Sequence, residues 1–223
     1  MWDHYQVDND ASTFDGNIER LRHLVGLVRS ADKVLNIGVG NGALEVMLQE
    51  KGCMVFSLDP SDNAILRLRE RLGLDESSAK IGYSQSIPFE DGFFDVVVMS
   101  EVIEHLNDEV LGQTLFEVMR VLRKTGLYIG SVPADEALKE NEVVCPDCGK
   151  VFHRWGHVQS FTKSRLSSVL SECFDVIRIN RAYFGYSSGL NWKGKLIWFV
   201  KKIMRGAGVQ GSAENYVFVC KKR

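Results

Sequence analysis

The chain has 223 residues, 45% hydrophobic and 25% charged, with 20 Gly, 4 Pro and a formal net charge of −2. That composition excludes a wholly disordered chain and suits a single domain over 1–223 with a small insertion. The longest aliphatic and aromatic run toward the C-terminus, Leu196 to Val200, is far short of the ~20 residues a bilayer span needs. The polar N-terminus is not a signal peptide, and five cysteines in a chain this long do not make a disulfide scaffold, so a reduced, cytoplasmic protein is expected.

The first residues, to about Asp15, read as loose. Ile18, Leu21, Val25 and Val28 then recur at helical spacing. Lys33 to Ile37 is a short apolar run closed by glycine, a buried strand. Ala43 to Glu50 is a helix, Met54 to Leu58 a second strand ended by Asp59, and Ala64 to Leu72 a second helix. A weak strand covers Ala79 to Tyr83. Phe94 to Met99, with three consecutive valines, is the strongest strand signal. An amphipathic helix over Val110 to Leu122 precedes the strand Leu127 to Val132. An irregular stretch bearing Cys and His follows, then a helix over Lys163 to Cys173 and late strands at Val176 to Ile179 and Tyr216 to Val219. Strands alternating with helices imply a mainly parallel sheet covered on both faces, with ligands beyond the carboxyl ends of the strands.

The segment VLNIGVGNGALE places Gly38, Gly40 and Gly42 between the first strand and the first covering helix. Glycines there permit sharp turns and let a ligand approach the backbone, and the helix offers free N–H groups. The spacing is G-x-G-x-G; a dinucleotide loop would need glycine at Ala43, and no phosphate-binding G-x-x-x-x-G-K-[ST] sequence exists. Asp59 stands at the end of the second strand, where a carboxylate can accept both hydroxyls of a ribose. A simple turn and helix cap over Asp59-Pro60-Ser61-Asp62 is the competing reading.

VLNIGVGNGALE, then FSLDPS, then SIPFEDGFFDVVVMSEVIEHL, resembles the class I S-adenosylmethionine-dependent methyltransferases, especially the small-molecule group related to quinone-biosynthesis O-methyltransferases. The resemblance covers about Lys33 to Val132 and returns in GHVQSFTKSRLSSVL. It implies an α/β, Rossmann-like, seven-stranded sheet with helices on both faces and the last strand inserted antiparallel. It also implies that the glycine loop faces the methionine part of the cofactor, that Asp59 binds the ribose, that Ser84 and Gln85 flank the adenine, and that Ser100 and Glu101 line the methyl-transfer site. Two positions depart from the family pattern. Asn36 and Tyr83 stand where acids are usual. Asn36 can accept from the cofactor's amino group through its amide oxygen, but without charge. Tyr83 can only stack on the adenine. Both departures predict weaker cofactor binding.

Methyl transfer needs a nucleophile aligned with the S–CH3 bond, and a hydroxyl nucleophile benefits from a base. His105 in EVIEHL is the first candidate base and His157 in GHVQSF the second; a loop-bracing histidine is the alternative for His105. Glu101 and Glu104 read as structural or substrate-orienting acids, too exposed to be good bases. Cys145, Cys148, His153 and His157 are spaced C-x2-C-x4-H-x3-H, four zinc-type ligands in an insertion over 140–158. A chance cysteine pair is the alternative, and His157 is claimed by both the acceptor pocket and the metal. Cys53, Cys173 and Cys220 lie in apolar contexts and read as core residues.

From Arg178 to Arg223 ten basic residues face the single acid Glu214, a net +9 against −11 for the rest. Within that end, 190–206 is a basic amphipathic segment: Trp192, Leu196, Val200 and Ile203 at helical spacing, flanked by Lys193, Lys201, Lys202 and Arg205. It suits a membrane surface or a lipid-linked substrate; packing on the sheet with snorkelling lysines is the alternative. The expected activity is methyl transfer from S-adenosylmethionine to an oxygen, secondly a nitrogen, of a small, sugar- or lipid-linked acceptor. An RNA or nucleotide methyltransferase is suggested by the basic end. The acidic body and the absence of an amine-methylating [ND]-P-P-[YF] tetrapeptide argue against nucleic acid. A catalytically silent cofactor- or zinc-binding module is the third reading.

Overall fold

In the computed structural model, residues 18–184, 192–194, 196–197, 199–200 and 214–223 are described. The opening residues to Asp15 and much of the 190–206 segment lie outside them.

The described chain runs α1 (Ile18–Gly26), β1 (Lys33–Ile37), α2 (Ala43–Glu50), β2 (Met54–Asp59), α3 (Asp62–Leu72), β3 (Ala79–Ile81), β4 (Phe94–Ser100), α4 (Asp108–Val121), β5 (Leu122–Pro133), β6 (Glu142–Val144), β7 (Val151–His153), α5 (Lys163–Leu170), β8 (Phe174–Tyr183) and β9 (Glu214–Lys222). Seven strands form one sheet in the order β3-β2-β1-β4-β5-β9-β8, and β9 runs antiparallel to both neighbours. The expected architecture is therefore the observed one. Strand order reverses between β1 and β4, each followed by its own loop, so a crevice opens at their carboxyl ends.

Local chemistry sets the boundaries. Ser61, Asn107 and Thr162 accept from the backbone N–H three residues on and start α3, α4 and α5. Gly73 closes α3 in the left-handed conformation. Two expected helices end early: Leu122 is already strand, and α5 stops at Leu170, with Ser171 as its cap. Val34, Val96 and Val98 bury one face of the sheet against α1 and α2, while Leu35, Val97 and Met99 bury the other among Leu111, Leu115 and Phe161. The stretch expected to be irregular contains an antiparallel hairpin, β6 on β7, with Val144 opposite Val151 and Glu142 opposite His153.

Candidate active site at the carboxyl edge of the sheet

The glycine loop is held from below and behind. Gly38, Gly40 and Gly42 all have positive φ, 88°, 55° and 76°. A Cβ on Gly38 would lie 2.6 Å from Val102 Cγ2, and one on Gly42 2.9 Å from Leu68 Cδ1. The backbone hand favours glycine at all three, and at Gly38 and Gly42 a side chain would also have to displace a neighbour. Asp59 Oδ2 accepts from Val39 N and Oδ1 from Ser61 N, each at 2.8 Å. This acid fastens the loop from the end of β2.

Asn36 is buried beneath the loop. Its Nδ2 donates to Glu45 Oε1 at 2.7 Å and to Gly38 O at 3.2 Å. Asn36 Oδ1 and Glu45 Oε2 are buried acceptors with no hydrogen-bond partner. Burial pushes the Glu45 carboxyl up to about 7, against the Asn36 and Ser57 hydrogen bonds that pull it down. Two unsatisfied acceptors under a glycine loop suit a ligand ammonium group. An acid on α2, Glu45, thus stands against Asn36. Sequence reading missed Glu45; its signal is an acid three residues beyond the last loop glycine, facing inward from the first turn.

In the loop after β3, Ser84 is buried with its hydroxyl 2.8 Å from Thr114 Oγ1, so it ties that loop to α4. Gln85 is half-buried and Tyr83 is exposed beside it.

The acceptor side is built around the end of β4. Ser100 Oγ accepts from Arg20 Nε at 3.1 Å and lies 2.9 Å from Ser131 Oγ. Glu101 has φ 57°, an uncommon conformation for a non-glycine residue. That turn aims its carboxylate at Asn215 Nδ2 (3.0 Å to each oxygen), Ser131 Oγ (2.9 Å) and Arg20 (3.5 Å). Three separate elements, α1, β5 and β9, therefore converge on Ser100 and Glu101. Arg20 and Asn215 carry no motif that would have revealed them.

Beyond Glu101, three histidines and two glutamates meet. Val158 N donates to Glu104 O at 2.9 Å, which brings the GHVQSF segment against the loop after β4. The His105 and His157 ring centroids are 4.8 Å apart. A carbonyl oxygen can only accept, so His105 Nδ1 donates to Gly156 O (3.1 Å) and its ring lone pair is on Nε2. Likewise His157 Nδ1 donates to the Glu136 carboxylate (2.5 Å), leaving the lone pair on Nε2, 4.0 Å from Glu104 Oε1. Glu104 is 1% exposed and neither carboxylate oxygen has a hydrogen-bond partner. The expectation of an exposed Glu104 is thus corrected: the acid is turned inward, and burial, with Glu101 nearby, raises its pKa well above the usual range. Burial also holds His105 down to about 4, which makes the first-choice base a weak one.

Glu104, His105 and His157 bring ligand atoms within 4.8 Å of one another, and so do Glu136, His153 and His157. The tautomers separate the two groups. His153 Nδ1 accepts from His157 N (3.1 Å) and Trp155 N (3.3 Å), so its proton sits on Nε2, facing Glu136 Oε1 at 3.4 Å. That nitrogen has no lone pair to give. In the first group His157 turns its Nε2 lone pair toward the unsatisfied Glu104 carboxylate, and each histidine is oriented by an acceptor behind it, the arrangement metal-binding histidines adopt.

The four ligands proposed from sequence spacing are not brought together. Cys145 and Cys148 are at the tip of the β6–β7 hairpin and His153 at its base. Three strand residues separate Cys145 from the position opposite His153, roughly 10 Å at ~3.3 Å per residue. Among the described residues no metal-type cluster includes a cysteine. Spacing in sequence assumed a tight knuckle; a regular hairpin extends the same residues instead. Cys53 and Cys220 are buried and Cys173 half-buried, as expected of core residues.

Comparison with known proteins agrees with this geometry. Residues 35–130 match the family described as a methyltransferase domain. An uncharacterized methyltransferase of Staphylococcus carnosus is 35% identical over 94 residues, 42% of this chain and 44% of that protein. A ubiquinone biosynthesis O-methyltransferase of Bradyrhizobium diazoefficiens is 33% identical over 132 residues, 57% of this chain and 48% of its own length. The chain thus spans about half the length of these relatives. The N-methyltransferase NodS of Bradyrhizobium japonicum, solved with S-adenosylhomocysteine, superposes with a TM-score of 0.70 over 99% of this chain and 96% of NodS, at 16% identity. Residues 35–130 therefore match a methyltransferase domain, and the chain shares the fold of NodS.

Proposed function

We propose that this chain transfers a methyl group from S-adenosylmethionine to an oxygen of a small, sugar- or lipid-linked acceptor. The observation that carries the reading is the pair of orphaned buried acceptors, Asn36 Oδ1 and Glu45 Oε2, under a positive-φ glycine loop fastened by Asp59. They fit the ammonium group of the cofactor, and the strand-end carboxylate fits its ribose. The sulfonium already activates the methyl group, so the protein's work is alignment and exclusion of water, which can supply up to ~7–11 kcal/mol. Ser100 and Glu101, fixed by Arg20, Ser131 and Asn215, border that space, and His157 presents its Nε2 lone pair to it.

Oxygen is favoured over nitrogen by the deprotonating and cation-holding groups gathered there. Glu104, His105 and His157 would hold a divalent cation; zinc and magnesium are the two to test. When bound, such a cation lowers the pKa of a coordinated hydroxyl. Glu136 and Gly156 O then keep the two rings in the metal-binding tautomer. Among the described residues Arg20, the basic side chain beside Glu101, is already engaged by Glu101 and Ser100, which does not favour a phosphodiester.

The test is incubation with methyl-labelled S-adenosylmethionine and fractionated metabolite extract, with and without a chelator. Label transferred to a base-stable, oxygen-linked product supports the reading. Label in RNA would overturn it, and cofactor binding with no transfer to any fraction would favour the silent module.

A further inference from the structure

Between Asp175 and Glu214 the sequence has no acidic residue and seven basic ones. Within that stretch Trp192, Lys193, Gly194, Leu196, Ile197, Phe199 and Val200 are helical. Trp192, Leu196, Phe199 and Val200 recur at i, i+4, i+7 and i+8, which sets them on one side of a helix. A helix that contributes to a core turns such a stripe inward. Here the stripe faces outward: Trp192 is 71% exposed, Leu196 55%, Phe199 54% and Val200 45%, with Ile197 at 56% beside them. Five large apolar side chains exposed on these helical residues differ from the scattered single ones usual on a protein surface. Lys193 Nζ stands 5.6 Å from the Trp192 ring centroid, and the sequence adds Lys195, Lys201, Lys202 and Arg205 close by.

We propose that this helix is a docking surface for an anionic lipid bilayer. Its apolar stripe enters the boundary between headgroups and acyl chains, and its lysines meet the headgroup charge. Charge decides the occupant. The cores of protein–protein interfaces are depleted in lysine, and a second copy of the chain would bring the same positive segment against this one. An anionic bilayer offers apolar depth and negative charge together, and tryptophan, phenylalanine and lysine are the residues that populate it. The proposal is independent of the methyl-transfer reading, because no residue of the helix belongs to the pocket described above.

The test is sedimentation of the full chain with phosphatidylcholine vesicles, with and without phosphatidylglycerol. The account expects binding at least about tenfold stronger to the anionic vesicles, weakened by high salt. The double variant Trp192→Ala, Phe199→Ala should lose about tenfold or more while keeping its thermal midpoint, since both side chains are exposed. Lys201→Glu with Lys202→Glu should abolish the preference for anionic lipid. Equal affinity for neutral and anionic vesicles, no binding to either, or unchanged binding by the double variant would overturn the proposal. So would light scattering that shows a dimer dissociated by the same double variant.

Discussion

Asn36 donates its amide to Glu45 across 2.7 Å of protein interior, directly beneath the glycine loop. The pair joins two elements, β1 and α2. Its consequence is a pH-dependent stability. The folded Glu45 carboxyl is raised to about 7 by burial. Between its unfolded value and that point the native state holds a proton that the unfolded chain has lost. Stability contributed by the group is therefore full at low pH and falls as pH rises to about 7, by on the order of 3 kcal/mol. Glu45→Gln should remove that slope. Denaturant unfolding of both proteins from pH 5 to 8 checks it: the difference between them must grow in favour of the variant as pH rises.

The same pair reverses a simple expectation from the family pattern. Asn36→Asp places a second carboxylate against a buried one, and should destabilise the fold by about 1–3 kcal/mol or more at pH 8. Exchanging the two groups, Asn36→Asp together with Glu45→Gln, restores one amide and one acid and should recover most of the loss. A double-mutant cycle in denaturant shows it as non-additivity; additive losses would mean the two side chains are uncoupled.

On the proposed reading Asp59 serves both the loop and the cofactor, so its removal should show in both. Asp59→Ala leaves Val39 N and Ser61 N without their side-chain acceptor. A fall in stability of ~1–3 kcal/mol should accompany a loss of S-adenosylhomocysteine affinity. Asp59→Asn retains an acceptor for one amide, and should keep more stability than affinity. Thermal unfolding and calorimetric titration of the two variants separate the effects.

The cation pocket makes a prediction about metal alone. Calorimetry with magnesium or zinc should give one site per chain, and Glu104→Gln should weaken it by at least about tenfold. The variant should be no less stable than the parent without metal, because it replaces a buried carboxylate with no hydrogen-bond partner. Cys145→Ser with Cys148→Ser should leave that site unchanged. Loss of the site in the cysteine variant would instead return the hairpin to the metal and refute the Glu104 assignment.

The fold was largely legible because periodicity and punctuation agreed. Three valines in Phe94–Ser100 and the glycine and aspartate that end β1 and β2 sit where a parallel sheet needs them. The candidate site was legible only where a motif is local. Gly38, Gly40, Gly42 and Asp59 are read from one loop and one strand end, and His105 and His157 from their neighbours. Glu45, Glu136, Arg20 and Asn215 act across 9 to 114 residues of sequence, and nothing in their own surroundings distinguishes them from surface polar residues. Cys145 and Cys148 show the converse error, a persuasive spacing whose geometry depended on whether the backbone turned or extended.

The central claim is that the loop and Asp59 bind the cofactor's methionine and ribose, and titration of the full chain with S-adenosylhomocysteine tests it most directly. The account predicts saturable binding of one ligand per chain, lost or weakened at least about tenfold in Asp59→Ala and in Gly38→Ala, whose added methyl would meet Val102 Cγ2 at 2.6 Å. A folded wild-type chain that takes up no S-adenosylhomocysteine, or one whose affinity both substitutions leave untouched, would contradict it.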